Sequence, residues 1–388
     1  MSFRTMLGES AFLKAFWFLS LTVFVILLVS PIRGFFFATG ARWLYILLFS
    51  FSTSALLTPL AILSATKLGI VDHPGGRKIH TRPTPLMGGV AIVVSFIAAL
   101  GANMILDGKV VAIIAGGIIV AGVGLIDDWR SVRASYKLAV QVIVVVMLVR
   151  FGIVLELFPS STTWGYLLNV VLSILWIVGL TNAMNFIDGM DGLAAGISAV
   201  ISLFLAIAAY QTSQPFMGWI ALAMLGSCLG FLPFNFGLKR RALIFLGDSG
   251  STFLGFVLSA LAIKAAWADN NPIVSFATPI LIFWILIYDM AYISFERIVT
   301  GKVKSFREWI DYVGTDHIHH RIFAILKNER QTVLFIIVFS ATLGIGALVL
   351  RNASAIDGIM TIVQALLVTL IVSIIEYYGR NNSTSNKR

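Results

Sequence analysis

Apolar residues in this chain come in long unbroken runs, not in the alternation of a half-buried strand. The runs fall at about 14–32, 43–63, 87–105, 110–126, 138–155, 166–183, 194–210, 215–234, 252–266, 272–294, 332–350 and 354–376. A helix needs roughly 17–25 such residues to cross the hydrocarbon core of a bilayer. The pattern therefore predicts an all-α polytopic membrane protein with about 10–12 transmembrane helices, of which 252–266 is short. No small-residue cleavage signal follows the first run, so 14–32 is expected to remain as an extra N-terminal helix and 354–376 to be an extra C-terminal one. With no internal repeat, residues 1–388 are expected to form one integral membrane domain with a core at about 43–350, and 379–388 a disordered polar tail.

Composition agrees, at 59% hydrophobic and only 12% charged residues. The formal charge of +10 raises the question of nucleic acid, but the basic residues form no dense block or basic helix. They are parcelled into alternate short loops. Lys67, Arg77, Lys78, Arg82, Arg130, Arg133, Lys137, Lys239, Arg240 and Arg241 share one side, with seven more between 297 and 330. Little beyond Arg33, Arg42, Lys109, Arg150 and Arg351 falls opposite. The positive-inside rule makes the crowded side cytoplasmic. Cys228, the only cysteine, sits in an apolar run and reads as packing.

The polar residues with chemical potential keep to that same side. Asp72, Asp127, Asp128, Asp188, Asp191, Asp248, Asp289 and all five histidines lie in or beside the cytoplasmic loops. That predicts one site at the membrane boundary. The loop "VDHPGGRKIHTRPTPLMGG" brings Arg77, Lys78 and His80 together with glycine amides, which suits an anion, although a basic loop meeting lipid headgroups is the plainer reading. In "GLIDDWRS", Asp127 and Asp128 repel each other unless a cation neutralises them; a divalent ion, a base, or a solvated helix end beside Arg130 all fit.

"NAMNFIDGMDGLAAG" spaces Asn185, Asp188 and Asp191 at three-residue intervals, near one face of a helix unless Gly189 and Gly192 break it. In "FLGDSGS", Asp248 opens an apolar run, where helix N-terminal amides favour phosphate and a carboxylate can share Mg²⁺ with phosphate oxygens. Nearby Phe245 suits base stacking or simple membrane embedding equally. "DHIHHR" gathers His317, His319, His320 and Arg321. Without cysteines, and without the i, i+4 histidine spacing of a zinc helix, a polyphosphate fits this cluster better than Zn²⁺.

Together "RKIHTRPTPLMGG", "DDWRS", "NFIDGMDGLAAG", "FLGDSGS", "YDM" at 288–290 and "DHIHHR" resemble the polyprenyl-phosphate N-acetylhexosamine-1-phosphate transferase family, in the family's order across about 65–330. "RKIH" and the histidine motif followed by Arg are similar to the branch that transfers N-acetylglucosamine 1-phosphate; the related phospho-N-acetylmuramoyl-pentapeptide transferases carry consecutive histidines instead. The resemblance implies transfer from a UDP-N-acetylhexosamine to undecaprenyl phosphate, with Mg²⁺ (or Mn²⁺ in its place), at the cytoplasmic face of a bacterial plasma membrane. The product would be an undecaprenyl-diphospho-sugar for cell-envelope polysaccharide, with UMP released, and family members are often homodimers.

On that reading Asp127, Asp128 and His317 are the catalytic candidates, and Asp248 and Asp188 the metal ligands. Arg77, Lys78, His80, Asn185, Asp188, Asp191, Phe245, His319, His320 and Arg321 are the candidates for binding substrate. Three features depart from the family: extra residues between Asn235 and Asp248, Glu296-Arg297 in place of a frequent Arg pair, and extra spans at both ends. The rival functions are a secondary transporter, which places ionisable groups near the bilayer midplane, often in repeated halves, and a metal-dependent lipid phosphatase.

Overall fold

The computed structural model describes residues 10–74, 83–237, 241–265, 267, 272–305, 308–309, 312, 314, 316–350 and 353–385. Every expected apolar run contains helix. In chain order the helices are α1 (Ala11–Leu28), α2 (Ser30–Ala38), α3 (Arg42–Leu68), α4 (Gly88–Ala102), α5 (Gly108–Trp129), α6 (Ala134–Arg150), α7 (Thr163–Ile187) and α8 (Leu193–Gln211). There follow α9 (Pro215–Asn235), α10 (Gly247–Lys264), α11 (Pro272–Ile282), α12 (Trp284–Val299), α13 (Ile318–Leu326), α14 (Glu329–Val349) and α15 (Ala355–Ser385). Eight of these are long and apolar enough to cross a membrane among the described residues, so the chain is a multi-pass membrane protein. Helix α15 continues to Ser385, through most of the segment whose polarity predicts a disordered tail.

The run at 272–294 is not one rod. It divides at Phe283 into α11 and α12, which bend by 77°. Outside the helices, β1 (Val71–Asp72) and β2 (Thr84–Pro85) pair antiparallel, bracketing the proline- and glycine-rich loop.

Helix α10 is the centre of the architecture. Residues 249–262 are all buried, because the helix packs against α4, α5, α7 and α8. With every one of these residues covered, and Ser249, Ser251, Thr252 and Ser259 among them, α10 is enclosed by protein on all sides and not by lipid. That enclosure leaves its N-terminus, with Asp248, fixed at the end of the bundle where α5 and α7 stop.

Polar side chains bind the opposite end. Lys264 at the end of α10 pairs with Asp107 at the start of α5, at 2.8 Å. Arg33 donates to the Ala102 carbonyl at 2.7 Å, closing α2 onto the end of α4. The core helices are thus tied at both ends.

Candidate active site

The adjacent acids at the end of α5 do different work. Asp128 turns under the start of α10, where its two oxygens accept the Asp248 and Ser249 amides at 2.8 and 3.1 Å. The first amides of a helix lack internal acceptors, and Asp128 supplies them from 120 residues away. The phosphate-binding amides expected here are therefore already taken by a carboxylate. Space permits this because Gly247 has φ +77 and a Cβ there would lie 2.6 Å from Asp128 Oδ2. A Cβ on Gly124 would likewise strike the Asp248 backbone at 2.6 Å.

Asp127 faces Lys137 instead. Lys137 Nζ lies 2.6 Å from Asp127 Oδ2 and 2.8 Å from Asp248 Oδ2, bridging two carboxylates from separate helices. Asn185 Nδ2 donates to the other Asp248 oxygen at 3.0 Å and to Ser251 Oγ at 3.0 Å. The line Asp127–Lys137–Asp248–Asn185 thus joins α5, α6, α10 and α7.

Asp188 lies just past the end of α7. The expectation that Asn185, Asp188 and Asp191 share a helical face fails, since α7 ends at Ile187 and Gly192 has φ +80, a left-handed conformation that stops helix continuation. Three-dimensional proximity survives the break. Burial, then the charges of Asp248, Asp128 and Asp191, raise the Asp188 carboxyl well above the ordinary carboxylate range. Asp191 accepts the Ala242 amide at 2.9 Å and so anchors the segment leading into α10. Asn235, which carried no expected role, reinforces this anchor: it accepts from the Gly192 amide at 2.8 Å and donates to the Ile244 carbonyl at 2.9 Å. Phe245 is half-buried, with its amide on the Pro85 carbonyl at 2.8 Å and its carbonyl on the Gly88 amide at 3.0 Å.

The histidines close over this acidic centre. His319 is buried and packs on Gly189, where an added Cβ would lie 2.3 Å from its Nε2. Burial, then the neighbouring His320, His317 and Arg321, depress the His319 pKa well below the usual histidine value. His320, half-buried, is lowered by burial and by His317. His317 lies against Phe186 and contacts Asp289 Oδ2 through Nδ1 at 2.8 Å. Asp289 also accepts the Ile318 amide at 2.7 Å.

Arg321 departs from its expected position. It is buried, with Nη1 3.0 Å from Glu376 and its guanidinium 3.8 Å over the Tyr292 ring. Two residues on a helix turn the side chain by about 200°, so Arg321 is carried away from the face that holds His319. Arg77, Lys78 and His80 lie outside the described residues.

The chain is similar to known proteins over most of its length. Residues 110–266 match the family described as Glycosyl transferase family 4. The chain is 34% identical over 310 residues to a probable undecaprenyl-phosphate N-acetylglucosaminyl 1-phosphate transferase of Bacillus subtilis (strain 168), covering 79% of this chain and 84% of that protein. It is 30% identical over 326 residues to decaprenyl-phosphate N-acetylglucosaminephosphotransferase of Mycobacterium tuberculosis (strain ATCC 25618 / H37Rv), covering 76% and 80%.

This chain belongs to glycosyl transferase family 4. Undecaprenyl-phosphate alpha-N-acetylglucosaminyl 1-phosphate transferase of Escherichia coli (strain K12) is a more distant relative, at 27% identity over 292 residues and 72% and 76% coverage.

Besides Asn235, two residues beside the site of this family 4 protein were not singled out by their sequence. Lys137 reads as one more basic loop residue, although its place at the entry to an apolar run is a weak signal. Arg297, whose Nε and Nη2 grip Asp316 at 2.7 and 2.8 Å, reads as the family's altered Arg pair. Burial works to raise the Asp316 carboxyl, but the Arg297 hydrogen bonds and charge prevail and hold it below the usual range.

A family 4 enzyme is a phosphoglycosyl transferase, and whether this site suits Mg²⁺ can be judged from its donors. Among the described residues no three His, Cys, Asp or Glu side chains form a metal cage. Mg²⁺ needs none, because it is bound through one or two carboxylates plus substrate phosphates. Asp248, which faces Lys137 and Asn185 at 2.8 and 3.0 Å, and Asp188, whose carboxyl feels the charges of Asp248, Asp128 and Asp191, are carboxylates of the kind such a site uses.

Proposed function

We propose that the protein transfers N-acetylglucosamine 1-phosphate from UDP-N-acetylglucosamine to undecaprenyl phosphate. The observation carrying this reading is the convergence of Asp127, Asp188 and Asp248 with the Lys137 ammonium and the histidine cluster at one end of the bundle. A lipid-anchored phosphate and a water-soluble nucleotide sugar can meet only at such a boundary. The likeness to N-acetylglucosamine 1-phosphate transferases supports that donor.

In the reaction, an oxygen of the lipid phosphate bonds to the β-phosphorus of the nucleotide sugar, and the bond from that phosphorus to the bridging oxygen breaks, so UMP leaves with the oxygen. A phosphate monoester has a second pKa near about 6, so the attacking group is largely dianionic at neutral pH. Positioning and charge neutralisation then matter more than a strong base. Lys137 holds Asp127 and Asp248 at a fixed separation. Asp127, whose oxygens face the Val132 amide and the Lys137 ammonium, accepts any residual proton from the lipid phosphate, while Asp128 holds the start of α10 in place. Asp248 and Asp188 would hold Mg²⁺, whose chemistry is to neutralise diphosphate charge. His317, oriented by Asp289, and His320 contact the diphosphate as charge develops on UMP.

The test uses purified protein, radiolabelled UDP-N-acetylglucosamine and undecaprenyl phosphate. Label should enter the lipid fraction with an equal yield of UMP, and other UDP-sugars should compete weakly. Inorganic phosphate release without label transfer would indicate the phosphatase, and uptake into vesicles without labelled lipid the transporter.

A further inference from the structure

Among the described residues, one face of helix α15 reaches the scaffold of the histidines and not the acidic cluster. Thr369, Ser373 and Glu376 succeed one another at spacings of four and three, so they line one face. Thr369 Oγ1 accepts from Trp284 Nε1 at 2.8 Å, and Ser373 Oγ is 2.6 Å from the Tyr288 hydroxyl. Glu376 Oε2 is 3.0 Å from Arg321 Nη1. Trp284 and Tyr288 stand one turn apart on α12, immediately before Asp289, and Arg321 stands on α13 with His319 and His320.

Glu376 and Arg321 are 1% and 2% exposed, so neither charge is neutralised by water. Buried charges demand a partner. Arg321 has two carboxylates beside it among the described residues: Glu376 at 3.0 Å, and Asp289 at 3.6 Å. Asp289 is the acid that orients His317. While Glu376 offsets the Arg321 charge at 3.0 Å, Asp289 keeps Oδ2 on His317 and Oδ1 on the Ile318 amide, with Arg321 at the longer distance of 3.6 Å. Without the Glu376 charge, Arg321 has Asp289 as its nearest compensation, and drawing that carboxylate over releases His317.

We infer that Glu376 is a positioning residue for the transfer reaction, acting through Arg321 to keep Asp289 on His317. This rests on the proposed transfer activity. Wild-type protein that transfers no label would count against that activity and not against the positioning, so every comparison is made relative to active wild type.

The experiment measures kcat and KM per folded enzyme, in detergent, for wild type, Glu376→Gln, Glu376→Asp and Glu376→Gln/Arg321→Met. Small displacements of catalytic groups are costly to turnover, so Glu376→Gln should lower kcat by about tenfold or more with KM for UDP-N-acetylglucosamine within about threefold. Glu376→Asp should recover much of that loss, because the charge remains. A role confined to holding the bundle together would reduce the yield of folded protein and leave kcat per folded enzyme unchanged, and that result overturns the inference. If Glu376→Gln does not fold, the double variant Glu376→Gln/Arg321→Met carries the test: with neither buried charge present nothing draws Asp289 away from His317, so kcat should stay within about threefold of wild type, and a tenfold or greater loss of kcat per folded enzyme overturns the inference.

Discussion

Lys137 sits between Asp127 and Asp248, at 2.6 and 2.8 Å, and so joins carboxylates 121 positions apart in the chain (248 − 127). It is the cation around which the acidic centre is assembled. Replacing it with methionine keeps the length of the side chain and leaves two carboxylates facing each other unneutralised. Lys137→Met should lower kcat by about a hundredfold or more, as expected when charge stabilisation at a phosphoryl site is removed. Lys137→Arg should retain part of the activity. Steady-state assays on folded, monodisperse protein decide this; activity of Lys137→Met within threefold of wild type would remove the lysine from the mechanism.

Asp128 acts as the cap of α10. Asp128→Ala leaves the Asp248 and Ser249 amides without acceptors, at a cost of about 1 kcal/mol for a typical N-cap. Thermal unfolding in detergent should show that loss together with reduced transfer. An unchanged unfolding temperature would rule out the capping role.

The metal assignment predicts that chelation abolishes transfer and that Mg²⁺ restores it, with Mn²⁺ as a substitute. Asp248→Asn should require more Mg²⁺ for half-maximal activity, since a charged ligand has become neutral. An unaltered Mg²⁺ titration in an active Asp248→Asn variant would assign the ion elsewhere.

His319 makes a stability prediction with a definite sign. Its folded pKa is depressed by burial, while an unfolded histidine titrates near about 6.5. On acidification through about 6.5 the unfolded state takes up a proton that the folded state resists, so stability falls as pH drops and recovers above that range. Glutamine cannot take up that proton. The unfolding temperature of His319→Gln should therefore decline less between pH 7.5 and 5.5 than that of wild type, and equal declines would show that His319 is not the group responsible.

Membrane orientation can be tested with single cysteines. A Cys228→Ser background with Arg133→Cys, Lys302→Cys or Lys109→Cys, each at an exposed position, should be labelled from outside intact cells only at 109. Strong external labelling at 302 would invert the proposed orientation.

The unbroken apolar runs determined a polytopic helical membrane protein, because lipid forces backbone hydrogen bonding into helices. The motifs also named Asp127, Asp188, Asp248 and the histidines. What they could not assign was partnership. Asp127 and Asp128 are neighbours in the chain, yet a rotation of about 100° sends one to Lys137 and the other beneath α10. Gly189 and Gly192 carried the information that α7 stops before Asp191, but glycine is also tolerated within membrane helices, so the end of the helix was decided by packing. Arg321 looked like a phosphate ligand beside its histidines, and only the fold brought Glu376 from the last helix to neutralise it. Contacts of this kind join residues tens to more than a hundred positions apart, and hydrophobic periodicity specifies which face of a helix is buried without specifying which helix will cover it.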